Sequence, residues 1–161
     1  MTPRIERIAE KKLIGKRMKM SFADDKTYEL FSGFMPNKKN IKNTVSTELF
    51  CLNVFQEKFE FNESISFKEF EKWAAVEVMD FNTIPDGMEP YVLKGGLYAV
   101  FIYKGLPQDF SSTAMFIYGN WIPNSEYELD DREHFYLMGD KYKNNDPSSE
   151  EEVWIPIKRR K

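Results

Sequence analysis

From Leu13 to Met20 the chain alternates imperfectly, with Leu13, Gly15, Arg17 and Lys19 on one face and Ile14, Lys16, Met18 and Met20 on the other. This spacing predicts a strand from Arg4 to Met20, of the uneven kind found at an edge or in a barrel wall. Asp24, Asp25 and Thr27 then offer N-caps to a short helix. Its Leu30, Phe31, Phe34 and Met35 recur at helical spacing until Pro36 stops the run. Two apolar runs follow, Leu49 to Phe55 (LFCLNVF) and Trp73 to Phe81 (WAAVEVMDF), and both read as strands. Gln56 to Glu69, which mixes charges with Phe, reads as a long turn between them. In the second run Trp73, Ala75, Glu77 and Met79 face one way and Ala74, Val76 and Val78 the other. Pro85-Asp86-Gly87 is a turn signal, because Pro fixes φ and Gly accepts positive φ.

After that turn the order repeats. Tyr91 to Tyr103, interrupted by Gly95-Gly96, predicts a strand. Phe110, Ala114, Ile117, Tyr118 and Trp121 form one stripe of an amphipathic helix that Pro123 ends. Glu133 to Met138 (EHFYLM) and Val153 to Ile157 (VWIPI) predict two further strands across the polar turn GDKYKNNDPSSEEE. Strand-helix-strand-strand, read twice, predicts an α+β fold with an antiparallel sheet on one side and two helices on the other. The chain is expected to form a single domain, 1–161, with pseudo-repeats at about 3–81 and 89–158 and the sheet curled around a central cleft.

Composition narrows the function. The 161 residues include 14 Phe and 8 Tyr, enough rings to furnish both a core and the walls of a cavity. A net charge of −3 argues against direct nucleic-acid binding, which needs clustered cations on a basic domain. The one dense basic run, Lys158-Arg159-Arg160-Lys161, reads as a solvated tail. Cys51, the single cysteine, excludes an internal disulfide and fits a reducing compartment. The charged N-terminal stretch is unlike a signal peptide and no apolar run reaches membrane-spanning length, so a cytoplasmic protein without a membrane partner is expected.

Metal chemistry finds no support, since His134 and Cys51 are each alone and without a ligand at metal-binding spacing. No cofactor is expected. His134 is expected at the surface or satisfied by a neighbour. Gly95-Gly96 is not a phosphate loop, for it lacks the lysine and does not open a helix. It reads as a bend or bulge. The carboxylates carry the signal. Glu152 shares strand parity with Trp154, while Val153, Ile155 and Ile157 point to the helix-covered core. A carboxylate beside an indole in a cleft suits a cationic or amphipathic guest, and desolvation there would also suit a general acid or base. Glu150 and Glu151 read as a solvated loop end. Glu77, mid-strand and on the face of Trp73, is the second acid of interest. Phe101, Tyr103, Tyr118, Trp121 and Tyr136 are candidate walls.

The runs WAAVEV, IPDGMEPYVLKGGLYAVFIYKG, IYGNWIPNSEYELDDREHFYLMG and EEEVWIPIK together resemble the GyrI-like effector-binding domain family. Its members occur as free-standing proteins and at the C-terminus of AraC-type and MerR-type drug-responsive regulators. The resemblance covers most of the chain and is strongest from Trp73 to Lys158. It implies a duplicated unit around a cleft in which Glu152 meets cationic, aromatic or amphipathic ligands and Trp154 forms a wall. Many relatives carry an acid where this chain has Tyr136, which removes one carboxylate from the implied pocket. No helix-turn-helix segment precedes the first strand, so the chain is expected to sense or sequester a small molecule rather than to bind DNA. The resemblance also implies two alternatives. One is a hydrolase that adds water to cyclopropanoid genotoxins with Glu152 as general acid/base. The other is a protein that partners gyrase or a regulator.

Overall fold

A computed structural model describes residues 1–161. Its strands are β1 (Arg4–Ile8), β2 (Lys11–Met20), β3 (Leu49–Val54), β4 (Phe70–Val78), β5 (Glu89–Leu93), β6 (Gly96–Lys104), β7 (Tyr127–Leu129), β8 (His134–Met138) and β9 (Glu150–Arg159). Two helices complete it. α1 spans Thr27–Phe34, and α2 spans Phe110–Phe116 and continues through a π-helical turn, Ile117–Trp121, into a last turn, Ile122–Asn124. The α+β class follows directly. All nine strands pair antiparallel in one open sheet of order β1-β6-β9-β8-β3-β4-β2-β5, with β7 alongside the end of β9. No helix is long and apolar enough to cross a membrane.

Several boundaries differ from the sequence expectation, each for a physical reason. The strand expected from Arg4 to Met20 breaks at Ala9-Glu10, because β1 pairs with β6 while β2 pairs with β4 and β5. The Tyr91–Tyr103 strand breaks at Lys94-Gly95 for the same reason. β5 stays with β2, and β6 runs between β1 and β9. The two connections cross in contact, and a Cβ at Gly95 would stand 2.5 Å from the Ile8 carbonyl oxygen. The strand expected from Trp73 to Phe81 lies at Phe70–Val78, in register with β2 from Met20↔Phe70 to Lys12↔Val78. Thr27 does not cap α1. The Asp25 carboxylate accepts the Thr27 N–H instead, at 3.0 Å. β7 went unpredicted, being only three residues long.

Each helix covers one end of the same sheet face. On α1, Leu30 and Phe34 bury fully against Ile14, Phe70, Ala74 and Val76, about 1.5–3 kcal/mol for each large apolar side chain. On the α2 side, Ile117 and Ile122 bury against Ala99, Phe101, Val153, Ile155 and Ile157. The opposite face carries a third core of Leu13, Phe50, Leu52, Trp73, Tyr98, Phe135 and Trp154. The C-terminal basic run is not a free tail. Lys158 and Arg159 lie in β9 and pair with Glu128 of β7 and with Glu126 just before it, at 3.6 and 2.6 Å. Arg160 donates to the Ile122 and Ser125 carbonyls at 3.0 and 3.2 Å and so ties the end of the chain to the end of the helix.

Candidate functional site

The centre of the sheet is the β3–β8 pair, with Cys51 opposite Tyr136 and Asn53 opposite His134. These four side chains share the helix face; Cys51 belongs to the core under α1, and Tyr136 packs against both helical cores. A seam therefore runs across the sheet between α1 and α2. Lys72 of β4 borders it on one side and Glu151 of β9 on the other.

Glu151 is the chemically distinctive group. It was expected in a solvated loop, but β9 begins at Glu150 and pairs Glu151 with Tyr103 of β6. The Gly105 N–H donates to Ser149 O at 3.0 Å and holds the chain on the sheet before that point. Glu151 is half-buried, and its carboxylate has neither a hydrogen bond nor an ion pair. Burial raises its pKa from 4.5 to about 7, against the opposing pull of Lys72. Aromatic rings enclose this end of the seam. Phe110 stands edge-on to Tyr103 at 5.1 Å and to Tyr136 at 5.8 Å. Burial, and secondarily Glu151 among nearby charges, pushes up the phenols of Tyr103, Tyr136 and Tyr142.

The other end of the seam is closed and polar. His134 is buried and its Nδ1 shares a 3.0 Å hydrogen bond with the Tyr118 hydroxyl. Burial, aided by the charge of Arg132, lowers its pKa from 6.5 to about 3, so the ring is neutral at physiological pH. The neighbour expected to satisfy His134 is thus Tyr118. The Asn53 side-chain oxygen beside it is buried without a hydrogen-bond partner. The loop after β3 roofs this end: Phe55 and Phe59 pack on His134 at 5.3 and 4.7 Å, and Phe61 stacks on Tyr118 at 5.1 Å. A cavity of about 640 Å³ opens outside that roof, lined by Phe55, Phe59, Ile65 and Phe67 among charged residues.

Glu152 and Trp154 do come together, but on the opposite face and with their polar atoms engaged. The Trp154 indole N–H donates to Glu152 Oε1 at 3.0 Å, and Arg4 Nη2 reaches Oε2 at 2.9 Å. Arg4 also lies 5.7 Å from the Trp154 ring centroid. Trp154 stacks on Phe135 at 5.1 Å and meets Tyr98 edge-on at 5.6 Å. Trp73 and Glu77 share this face. Trp73 packs on Tyr91 at 4.9 Å, and Glu77 pairs with Lys11 at 3.6 Å. Glu133, an acid that sequence reasoning passed over, is only 4% exposed here. It accepts the Tyr91 hydroxyl at 2.6 Å on Oε2, and its Oε1 has no partner.

The nine residues singled out from the sequence therefore divide between two faces. Glu152, Trp154, Trp73 and Glu77 lie opposite the helices. Tyr103, Tyr118 and Tyr136 line the seam. Phe101 and Trp121, 5.4 Å apart and edge to face, belong to the core under α2. Glu151 was missed although a signal was present: it shares parity with Val153, Ile155 and Ile157, the face already assigned to the core.

The sequence profile of the GyrI-like small molecule binding domain matches residues 1–158. No curated protein matches the sequence. Among solved structures, the EcmrR C-terminal domain is 17% identical, covers 99% of this chain and 98% of its own, and has a TM-score of 0.70. SAV2435 bound to tetraphenylphosphonium is 15% identical, with 98% and 94% covered and a TM-score of 0.66. A hydrolase encoded by lin2189 from Listeria innocua is 10% identical, with 98% and 92% covered and a TM-score of 0.62. At these identities the likeness is one of fold.

Proposed function

The chain belongs to the GyrI-like small molecule binding domain family, and from that premise we propose that it captures amphipathic or lipophilic cations in the seam between α1 and α2. Glu151 supplies the counter-charge and Tyr103, Phe110, Tyr136 and Tyr142 supply the walls. The observation that carries this reading is the unpaired, half-buried Glu151 carboxylate among aromatic rings. A cation entering there gains a charge partner and ring faces, each favourable in a site poor in water. Glu152, by contrast, already holds Arg4 and the Trp154 indole, so a guest would have to displace both. The tetraphenylphosphonium bound to SAV2435 is a cation of the class proposed. The biological role that follows is sensing or sequestering such compounds in the cytoplasm.

Titration with tetraphenylphosphonium, followed by calorimetry, tests the seat. Glu151→Gln is expected to weaken binding about tenfold or more, the cost of losing a partly desolvated charge partner. Glu152→Gln is expected to leave affinity within about twofold. The reverse order would move the site to the opposite face, and unchanged binding in both variants would remove the electrostatic part of the reading.

The pH dependence has a definite sign. Glu151 ionises in the folded protein near 7, above its ordinary value of 4.5. Affinity for a permanent cation is expected to rise by up to about tenfold per pH unit as pH approaches 7, then to level off. Glu151→Gln is expected to flatten that profile. In the ligand-free protein the same group acts oppositely on stability. Its contribution is most favourable below pH 4.5 and is eroded as pH rises to about 7, because the folded state resists the charge that the unfolded chain accepts.

A further inference from the structure

Asn53 is the polar group of the seam that the folded chain leaves incomplete. Its side chain is buried, the residue being 2% exposed, and its Oδ1 has no hydrogen-bond partner. A buried acceptor without a donor destabilises the protein that keeps it. The neighbours that could serve it are engaged elsewhere. Lys72, its partner across β4, donates to Thr27 Oγ1 at 2.8 Å. On the other side His134 Nδ1 and the Tyr118 hydroxyl share a hydrogen bond of their own. Register sets this acceptor well apart from Glu151. Val153 and Cys51 both stand opposite Tyr136, one on each side of it. Glu151 lies two residues before Val153 and Asn53 two residues after Cys51, in opposite directions along the sheet. The two groups therefore end a diagonal of roughly 15 Å, with Tyr136 at its middle.

The roof at this end is lightly held. Phe55 and Phe59 pack on His134 beside Asn53, but no backbone hydrogen bond ties residues 56–61 to the rest of the fold. The Glu57–Lys68 ion pair at 2.9 Å is exposed and stays within the loop. Both rings also line the outer cavity of about 640 Å³, which gives them room to swing outward. A segment with so few backbone bonds opens at low cost. We infer that Asn53 is a specificity residue of the seam, accepting a hydrogen bond from a hydroxyl or N–H group that the guest carries at the end remote from its positive charge. The inference rests on the seat proposed for the cation at Glu151. It narrows the guest class from lipophilic cations in general to elongated ones with a polar donor on the tail. A tail that ends in methyl leaves the Asn53 oxygen unpaired, whereas a hydroxyl satisfies it, and a site built around such an acceptor discriminates by that difference.

Matched triphenylphosphonium cations are the probes, from hydroxypropyl to hydroxydecyl, each compared with the alkyl cation of equal length that ends in methyl. Affinities for the full chain are measured by calorimetry. The hydroxyl-to-methyl affinity ratio is expected to peak among the longer tails, those able to span the diagonal, and to fall about tenfold or more in Asn53→Leu. That variant is expected to favour the methyl-ended tail, because leucine offers it an apolar surface. It is also expected to unfold in urea at or above the wild-type midpoint, since an orphaned acceptor is gone. Should the leucine crowd the loop and lower that midpoint, Asn53→Ala carries the same test of the ratio without added bulk. Binding of both cations with one ratio in wild type and variants overturns the inference and leaves Asn53 to a buried water. A ratio indifferent to tail length overturns it too. Failure of both cations to bind the wild type, or binding indifferent to Glu151→Gln, would overturn the seat at Glu151 and this inference with it.

Discussion

Gly15→Ala is expected to cost about 3 kcal/mol or more of stability, lowering the melting temperature by roughly 6–12 °C. Gly15 sits in β2 between Ala75 of β4 and Glu89 of β5. A Cβ at this position would stand 2.0 Å from the Ala74 carbonyl oxygen and 2.7 Å from both Ala75 Cα and Cβ. None of those atoms is the end of a flexible side chain, so the methyl can be accommodated only by prying β2 from β4. That pair is the continuous ladder from Met20↔Phe70 to Lys12↔Val78. Equilibrium urea unfolding measures the effect. A loss below about 1 kcal/mol would mean that the two strands separate locally at little cost.

Phe135→Ala is expected to cost about 3–5 kcal/mol, the range for emptying a buried aromatic site. Phe135 is 1% exposed and bridges the two halves of the sheet face opposite the helices. It contacts Phe50 at 5.6 Å, Tyr98 at 5.2 Å and the Trp154 ring at 5.1 Å. The last contact provides a specific readout, since Trp154 loses its stacking partner and its emission should shift to the red. Phe135→Leu, which retains most of the volume, is expected to lose much less, and Glu151-dependent ligand binding should survive in it. A Phe135→Ala variant as stable as the wild type would show that this face collapses to refill the space.

Periodicity carried the assignment of elements a long way and failed at identifiable points. The alternation of β9 placed Val153, Ile155 and Ile157 under a helix, where they lie. The stripe from Phe110 to Trp121 located α2, but not its π-helical turn. Gly119 falls inside that turn, and Pro123 has no N–H to donate back to it. The extra residue in the turn rotates Tyr118 toward His134 while Trp121 meets Phe101. The site was harder to read than the fold. Glu151 and Glu152 are neighbours in a run of three acids, and which of them is free depends on groups remote in sequence. Arg4, on a strand 148 positions away, neutralises Glu152. Burial by Tyr103, Tyr136 and Tyr142 isolates Glu151, and no local pattern announces such enclosure.

The crossing of the two connections at Ala9-Glu10 and Gly95 also bears on how the chain is made. β1 has one partner only, β6, with Arg4 opposite Val100 and Ile8 opposite Gly96. During synthesis at about 5–20 residues per second, that partner leaves the ribosome roughly 5–20 s after β1 does. For that interval β1 is an unpaired strand beside a growing sheet, a condition that invites pairing with another chain. Its sequence, Arg4-Ile5-Glu6-Arg7-Ile8, sets three charges among two isoleucines. Those charges keep the waiting segment hydrated and discourage self-association. Arg4 thus has two duties in time: it guards a nascent strand against aggregation, and once β6 arrives it becomes the counter-ion of Glu152.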